Sequence, residues 1–173
     1  MKIDNPFEKT EAFHQQFDNR RPESPQAFTK EQASARAGFK VEELVEFLYG
    51  AAGNDQVQFK QLVTQLKKDV DAAEEKVLKK EKTVIDPLVE QVDALVDLLY
   101  FTYGSFSLLG VEPTPIFSIV HEANMGKLFP DGKPRYHPVT HKVLKPDNWE
   151  ADYAPEPKIK AELERQKAAA KKE

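Results

Sequence analysis

The placement of proline constrains this chain more than any other feature. The chain holds 12 prolines in 173 residues, yet none lies between Lys30 and Ile85, and after Pro87 the next is Pro113. Proline inside a helix removes a hydrogen bond and clashes with the preceding turn. Two long windows are therefore open to helix, and the prolines crowd into segments that read as loops.

Apolar spacing fills those windows with helical periodicity. A first helix is expected from about Pro6 to Phe17, with Phe7, Phe13 and Phe17 near one face; Asn19 to Gln26 reads as a loop. Thr29 followed by Gln32 reads as a capping box, so a second helix starts near Lys30. It carries Val41, Leu44, Val45 and Leu48 and stops near Ala52 at Gly53-Asn54-Asp55. A third covers Asp55 to Lys80, burying Phe59, Leu62, Val63, Leu66 and Val70 before a highly charged end. Asp86-Pro87 opens a fourth, with aspartate as cap and proline at the first position; Leu88, Val92, Leu95, Val96, Leu99, Tyr103 and Phe106 are its stripe up to Gly110. A fifth runs from Pro113 to Met125 or Gly126.

From Leu128 the periodicity stops. Turn formers dominate, and Asp131-Gly132 marks a turn where a small hairpin is expected. Lys158 to Glu173 is rich in Ala, Lys and Glu without a clear apolar face, and reads as a solvated helix or a disordered tail. The expected class is all-α: a four- to five-helix bundle with a polar, mostly irregular C-terminal segment. The expected division is a helical domain over residues 1–150 and a charged tail over 151–173.

Composition narrows the function classes. There are no cysteines, which excludes disulfides and thiolate chemistry. A formal net charge of −4 weighs against a nucleic-acid partner. No run of about eighteen apolar residues exists, so no membrane span is expected, and the N-terminus lacks a signal-type stretch. A cytoplasmic location is the expectation.

Two acidic clusters carry the chemistry. Glu42, Glu43 and Glu46 lie in the apolar stretch of the second helix, and Glu90, Asp93 and Asp97 in that of the fourth. Spacings of three and four place carboxylates on one helix face, where like charges cost a few tenths of a kcal/mol per pair. Asp97 sits among apolar neighbours (LVDLLYF), where a lone anion is costly to bury unless it is paired or meets a cation. Two helices each presenting a carboxylate pair make a hard-oxygen cage for Mg²⁺, and two such ions clamp a polyphosphate and activate water. The plainer reading is a solvated face or pairing with lysines. Zincin, P-loop and EF-hand signatures are absent.

Between Asn124 and Pro146 the chain has Lys127, Lys133, Arg135, Lys142 and Lys145 against the single acid Asp131. That excess suits a polyphosphate, although an ordinary charged loop has the same composition. Asn124 suits a base or sugar edge, and Trp149 or Tyr136 offers a ring for stacking. His137 and His141 are spaced like a metal pair, but Pro138 argues for a loop; His14 reads as structural or capping, and His121 as facing either core or site.

The two acidic helices and the basic segment, in this order, resemble the MazG-like all-α NTP pyrophosphohydrolases, a superfamily that includes phosphoribosyl-ATP pyrophosphohydrolases and dimeric dUTPases. The family pattern is E-x-x-E on one helix and E-x-x-D on a later one. Glu43-Leu44-Val45-Glu46 matches the first half. For the second, Asp97 looks like the terminal aspartate with Asp93 four before it, while Glu90-Gln91-Val92-Asp93 is the strict match; Asp93 and Asp97 are the favoured pair, with Glu90 in reserve. The segment HEANMGKLFPDGKPRYHPVTHKVLKP is similar to a subgroup in which an asparagine–lysine pair and a later lysine lie near the nucleotide. The resemblance covers about residues 6 to 150. It implies Mg²⁺, or Mn²⁺, held by Glu43, Glu46, Asp93 and Asp97, with Glu42 as general base or orienting the water. It places Asn124, Lys127, Lys133, Arg135 and Lys145 on the substrate side, and implies a homodimer or homotetramer. The implied activity is hydrolysis of an NTP or dNTP to the monophosphate and pyrophosphate, in nucleotide-pool house-cleaning. Phosphoribosyl-ATP or a nucleoside diphosphate is the alternative substrate, and a non-catalytic helical interaction module is the rival class.

Overall fold

The computed structural model describes residues 5–171. The described residues are all-α, in the order α1 (Pro6–Phe17), α2 (Lys30–Ala52), α3 (Gln56–Lys79), α4 (Pro87–Leu109), α5 (Pro113–Met125), α6 (Trp149–Tyr153) and α7 (Pro155–Ala170). The five expected helices form within a residue or so of their expected bounds, because their ends are set by local chemistry. Asn5 accepts from the Phe7 amide at 2.9 Å and opens α1. Thr29 and Gln32 make the reciprocal capping box of α2. Asp55 accepts from Val57 and Gln58 to start α3, and Asp86 accepts from Leu88 at 2.9 Å at the head of α4. Gly110, at φ 67, ends α4 with its own amide on the Ser107 carbonyl and the Val111 amide on Phe106. That left-handed cap suits a residue without a Cβ.

The chain divides into two compact units. One contains α1, α4 from Val96 onward and α5–α7. Here α5 is the hub, packed by α1, α6 and α7, and the buried apolar residues are Phe17, Ile116, Ala123 and Trp149. The Trp149 indole N–H donates to the Ala123 carbonyl at 2.8 Å. A Cβ on Gly126 would fall inside the Tyr153 ring, so α6 docks only because that position is glycine.

The tail takes the helical one of its two expected forms, and it also packs. α7 starts at Pro155 and packs on α5 through half-buried Ile159 and Leu163. The Gln166 amide accepts from the Glu112 N–H and donates to its carbonyl, both at 2.9 Å. A stripe of two apolar residues one turn apart was too short to register as an apolar face. The hairpin also moves. Gly132 makes a turn at φ 73, but the one β-bridge among the described residues joins Tyr136 to Val143 around His141.

The second unit is Ser24–Leu95. α2 and α3 pack on each other across the Gly53-Asn54-Asp55 turn, with Tyr49 and Phe59 edge to face at 5.2 Å. Val45, Leu48, Phe59, Leu62, Val63 and Leu66 are half-buried along this contact, and no residue in the unit is fully buried. Val70, expected inside, is exposed.

α4 departs most from expectation. It belongs to none of the substantial helix pairings. Of its expected stripe, Val92, Leu95, Val96, Leu99 and Tyr103 are exposed. It is also long and apolar enough to cross a membrane by length and composition, although no such span was expected; the average over the helix tolerates the two aspartates within it.

Candidate active site

The α2 carboxylates Glu42, Glu43 and Glu46 are exposed, as are Asp93 and Asp97 of α4. Phe39, Glu43 and Phe47 form one i, i+4 row on α2. The half-buried residues that meet α3, Val45, Leu48 and Ala52, lie elsewhere on the helix, and Phe39 and Phe47 are 56% and 61% exposed. Val89, Asp93, Asp97 and Phe101 form the equivalent row on α4, with Val89 60% and Phe101 73% exposed. Each helix thus sets acids inside an apolar row. Glu90 is half-buried and paired with Lys82 at 2.7 Å, so its carboxylate is occupied by a lysine.

Among the described residues, no three histidines, aspartates or glutamates gather closely enough to hold a metal ion. Within Ser24–Leu95 the reason is geometric. The Gln91 amide accepts from the Phe28 N–H at 2.8 Å and donates to its carbonyl at 3.3 Å. This ties the start of α4, and Asp93 with it, to the residue before α2. Glu43 lies about 20 Å further along α2, at 1.5 Å per residue. Within Ser24–Leu95, Glu43 and Asp93 therefore do not share one divalent ion.

The basic residues separate into groups around the end of α5. Asn124 Oδ1 accepts from the Lys127 ammonium at 2.7 Å. Lys145 Nζ lies 3.5 Å from the centre of the Trp149 ring, and Trp149 is pinned to Ala123, the neighbour of Asn124. The structure thus ties Asn124, Lys127 and Lys145 to one helix end. Arg135 belongs to the following turn, stacked over Phe129 at 4.1 Å and 3.7 Å from Asp131. Lys133 is exposed on that turn, its amide on Asp131 at 3.1 Å.

The two expected stacking rings do other work. Trp149 is 6% exposed and acts as the plate under Lys145. Tyr136 donates its hydroxyl to the Phe17 carbonyl at 2.6 Å, closing the end of α1. Nothing in the spacing of Lys145 and Trp149 announced their cation–π contact. His137 Nδ1 accepts from the Val139 and Thr140 amides, so it shapes a turn as a loop residue does. His14 sits edge-on to Phe13. His121 is half-buried, and its pKa is lowered by burial first and by the Lys9 charge second, against a weaker opposing effect of Glu122. Two clefts, one at the α4–α5 turn beside Tyr103 and Pro113 and one along α7 beside Ile159 and Leu163, hold none of the candidate residues.

Comparison with known proteins supplies what the single chain does not display. The profile of the phosphoribosyl-ATP pyrophosphohydrolase family matches residues 10–124, a span that includes both acidic helices and ends on Asn124. The crystal structure of a protein from Exiguobacterium sp. 255-15, described provisionally as an NTP pyrophosphohydrolase, aligns with a TM-score of 0.85 and 38% identity, over 96% of this chain and 98% of that one. No curated protein matches the chain significantly. The chain belongs to the phosphoribosyl-ATP pyrophosphohydrolase family and is a nucleotide pyrophosphohydrolase, a hydrolase of phosphoric anhydrides.

Proposed function

We propose that the chain hydrolyses a nucleoside or deoxynucleoside triphosphate to the monophosphate and pyrophosphate, dependent on Mg²⁺ or Mn²⁺. We place it in the cytoplasm, in clearing unwanted nucleotides, as a homodimer or homotetramer. The observation that carries this reading is the extent of the likeness: the family profile spans every candidate carboxylate, and the alignment with the Exiguobacterium protein spans nearly the whole of both chains.

The chain's own residues suit the reaction. Lys127 and Lys145 are held at the end of α5 by Asn124 and Trp149, where cations offset charge gathering on a polyphosphate as its anhydride breaks. Lys133 and Arg135 extend that positive surface along the next turn. Asn124 presents an amide to base or sugar. Glu42 serves as general base: it takes a proton from water as the water oxygen bonds to phosphorus, and the bridging oxygen leaves with pyrophosphate.

The expected result is that a panel of NTPs and dNTPs with Mg²⁺ yields monophosphate and pyrophosphate from at least one member. Glu42→Gln is expected to lower kcat by about 10²–10⁴-fold, the usual span for losing a general base. A Glu42→Gln protein with undiminished kcat removes that role. Phosphoribosyl-ATP belongs in the panel because the family profile carries that name. Turnover of that compound alone replaces the triphosphate reading.

A further inference from the structure

The basic segment after α5 folds into a hairpin whose tip is organised around one side chain. Tyr136 pairs with Val143. The arms are joined by the His137 N–H on the Lys142 carbonyl and the Leu144 N–H on the Arg135 carbonyl, both at 2.8 Å. That second bond sets Arg135 beside the residue that precedes Lys145. Residues 137–142 are all exposed, Val139 at 79%, so packing does little to fix their path. Pro138 has no N–H to donate. The next two amides, of Val139 and Thr140, both donate to His137 Nδ1, at 3.3 and 3.1 Å. His141 closes the turn at φ 54, a left-handed conformation that a non-glycine residue holds under strain, with its amide on the His137 carbonyl at 2.9 Å. We propose that His137 is a positioning residue and a proton-controlled switch of this hairpin: its neutral ring holds the tip and keeps Arg135 and Lys145 placed on the two arms for a polyphosphate, and its imidazolium releases them.

The chemistry of the ring makes the contact conditional. A neutral imidazole with its proton on Nε2 keeps a lone pair on Nδ1 that accepts N–H groups, whereas an imidazolium donates at both nitrogens and accepts at neither. Protonation therefore sets an N–H against two N–H donors and removes both bonds. Histidine is the side chain whose ordinary charge change falls within reach of mild acidification. Without the two bonds, the strained turn at His141 depends on the bonds between the arms, and an exposed segment held so sparsely opens readily.

The charges around the tip set the sign of the effect. The arms carry Arg135, Lys142 and Lys145, and His141 stands on the tip itself. Arg135 has Asp131 beside it at 3.7 Å, on the turn that also carries Lys133. The hairpin reaches the end of α1 through the Tyr136 hydroxyl on the Phe17 carbonyl; the titratable groups there are His14 and Asp18, the latter taken by Arg20 at 2.6 Å. On α6, which Lys145 reaches through Trp149, they are Glu150 and Asp152. A histidine acting only by its charge would add one more cation to this surface and tighten its hold on a polyphosphate as the pH falls. The switch weakens that hold instead. This inference rests on the pyrophosphohydrolase reading for the ligand, but not for the order of the tip.

The test compares the full chain with His137→Asn, His137→Ala and His141→Asn at about pH 8 and about pH 5. An asparagine carbonyl at position 137 can accept the same two amides and does not titrate. NMR relaxation reads the order of the backbone over 138–142, and the imidazole nitrogen shifts read the protonation of His137. The KM for a hydrolysed nucleotide reads the consequence, and calorimetry with inorganic tripolyphosphate gives the affinity independently of turnover. The wild type is expected to show a bare Nδ1 and a rigid tip at the higher pH. At the lower pH the tip loosens and KM rises about three- to tenfold relative to His137→Asn, the size expected for one or two exposed hydrogen bonds. His137→Asn is expected to stay rigid at both pH values, and His137→Ala to be loose with a raised KM and an unchanged kcat at both. His141→Asn is expected to keep the wild-type response. A wild-type tip equally ordered at both pH values, binding that tightens on acidification relative to His137→Asn, or a response that disappears in His141→Asn overturns the switch. A loosened tip with an unchanged KM and an unchanged tripolyphosphate affinity overturns the positioning role. A wild type that hydrolyses no nucleotide, but whose tripolyphosphate affinity follows the order of the tip, supports the switch and sinks the activity reading.

Discussion

At the scale of single residues, burial and charge decide what each side chain can do. Trp149 is both a core residue and the platform of Lys145. Trp149→Ala is expected to cost about 3–5 kcal/mol, the usual range for removing a buried aromatic. It should also raise the KM for nucleotide, since Lys145 loses its plate. Thermal melts and steady-state kinetics read both effects, and an unchanged melting temperature removes Trp149 from the core. Gly126→Ala forces a Cβ into the Tyr153 ring. Overpacking of this kind typically costs about 1–3 kcal/mol. His121 has a pKa below its ordinary 6.5, because burial and the Lys9 charge disfavour the imidazolium. A histidine lowered in this way stabilises the folded state while neutral. Its contribution is present above 6.5 and is lost as the pH falls through that value toward the folded pKa. His121→Gln should therefore flatten the fall in melting temperature on acidification below that point. A variant that loses stability with the wild-type slope rules His121 out as a source of the acid sensitivity.

At the scale of elements, two glutamine amides do similar work. Gln91 brackets the backbone of Phe28, and Gln166 brackets that of Glu112, each accepting from an N–H and donating to a carbonyl. Each clamp joins segments distant in sequence. Glu112 also caps α5 by accepting from the Thr114 amide at 3.0 Å, so α7 supports the head of the hub helix. Gln166→Ala removes both hydrogen bonds to the Glu112 backbone, and one to Glu162, each worth about 0.5–1.5 kcal/mol net. Faster hydrogen exchange at the Glu112 amide is expected, and unchanged exchange there removes the clamp's role.

At the scale of the whole molecule, the scarcity of buried residues points outward. Ser24–Leu95 holds no fully buried residue, and α4 lies outside the substantial helix pairings. If a second copy supplies the missing cover, stability depends on protein concentration. The melting temperature should rise across a dilution series from low to high micromolar, and Leu99→Glu, at a position 57% exposed in the single chain, should abolish that rise. Concentration-independent melting of the wild type would place the stability within one chain.

The sequence by itself determined the helices. Caps, glycine stops and the proline-free windows act within a few residues of where they stand, and so the bounds of α1–α5 were readable from local chemistry. The candidate acids were legible for the same reason, as i, i+3 and i, i+4 pairs set in apolar runs. Tertiary structure decided the rest. The docking of α7, the cation–π plate under Lys145 and the clamp at Phe28 join residues that periodicity does not relate. Periodicity marks which face of a helix must be covered, but burial is a property of the partner that covers it.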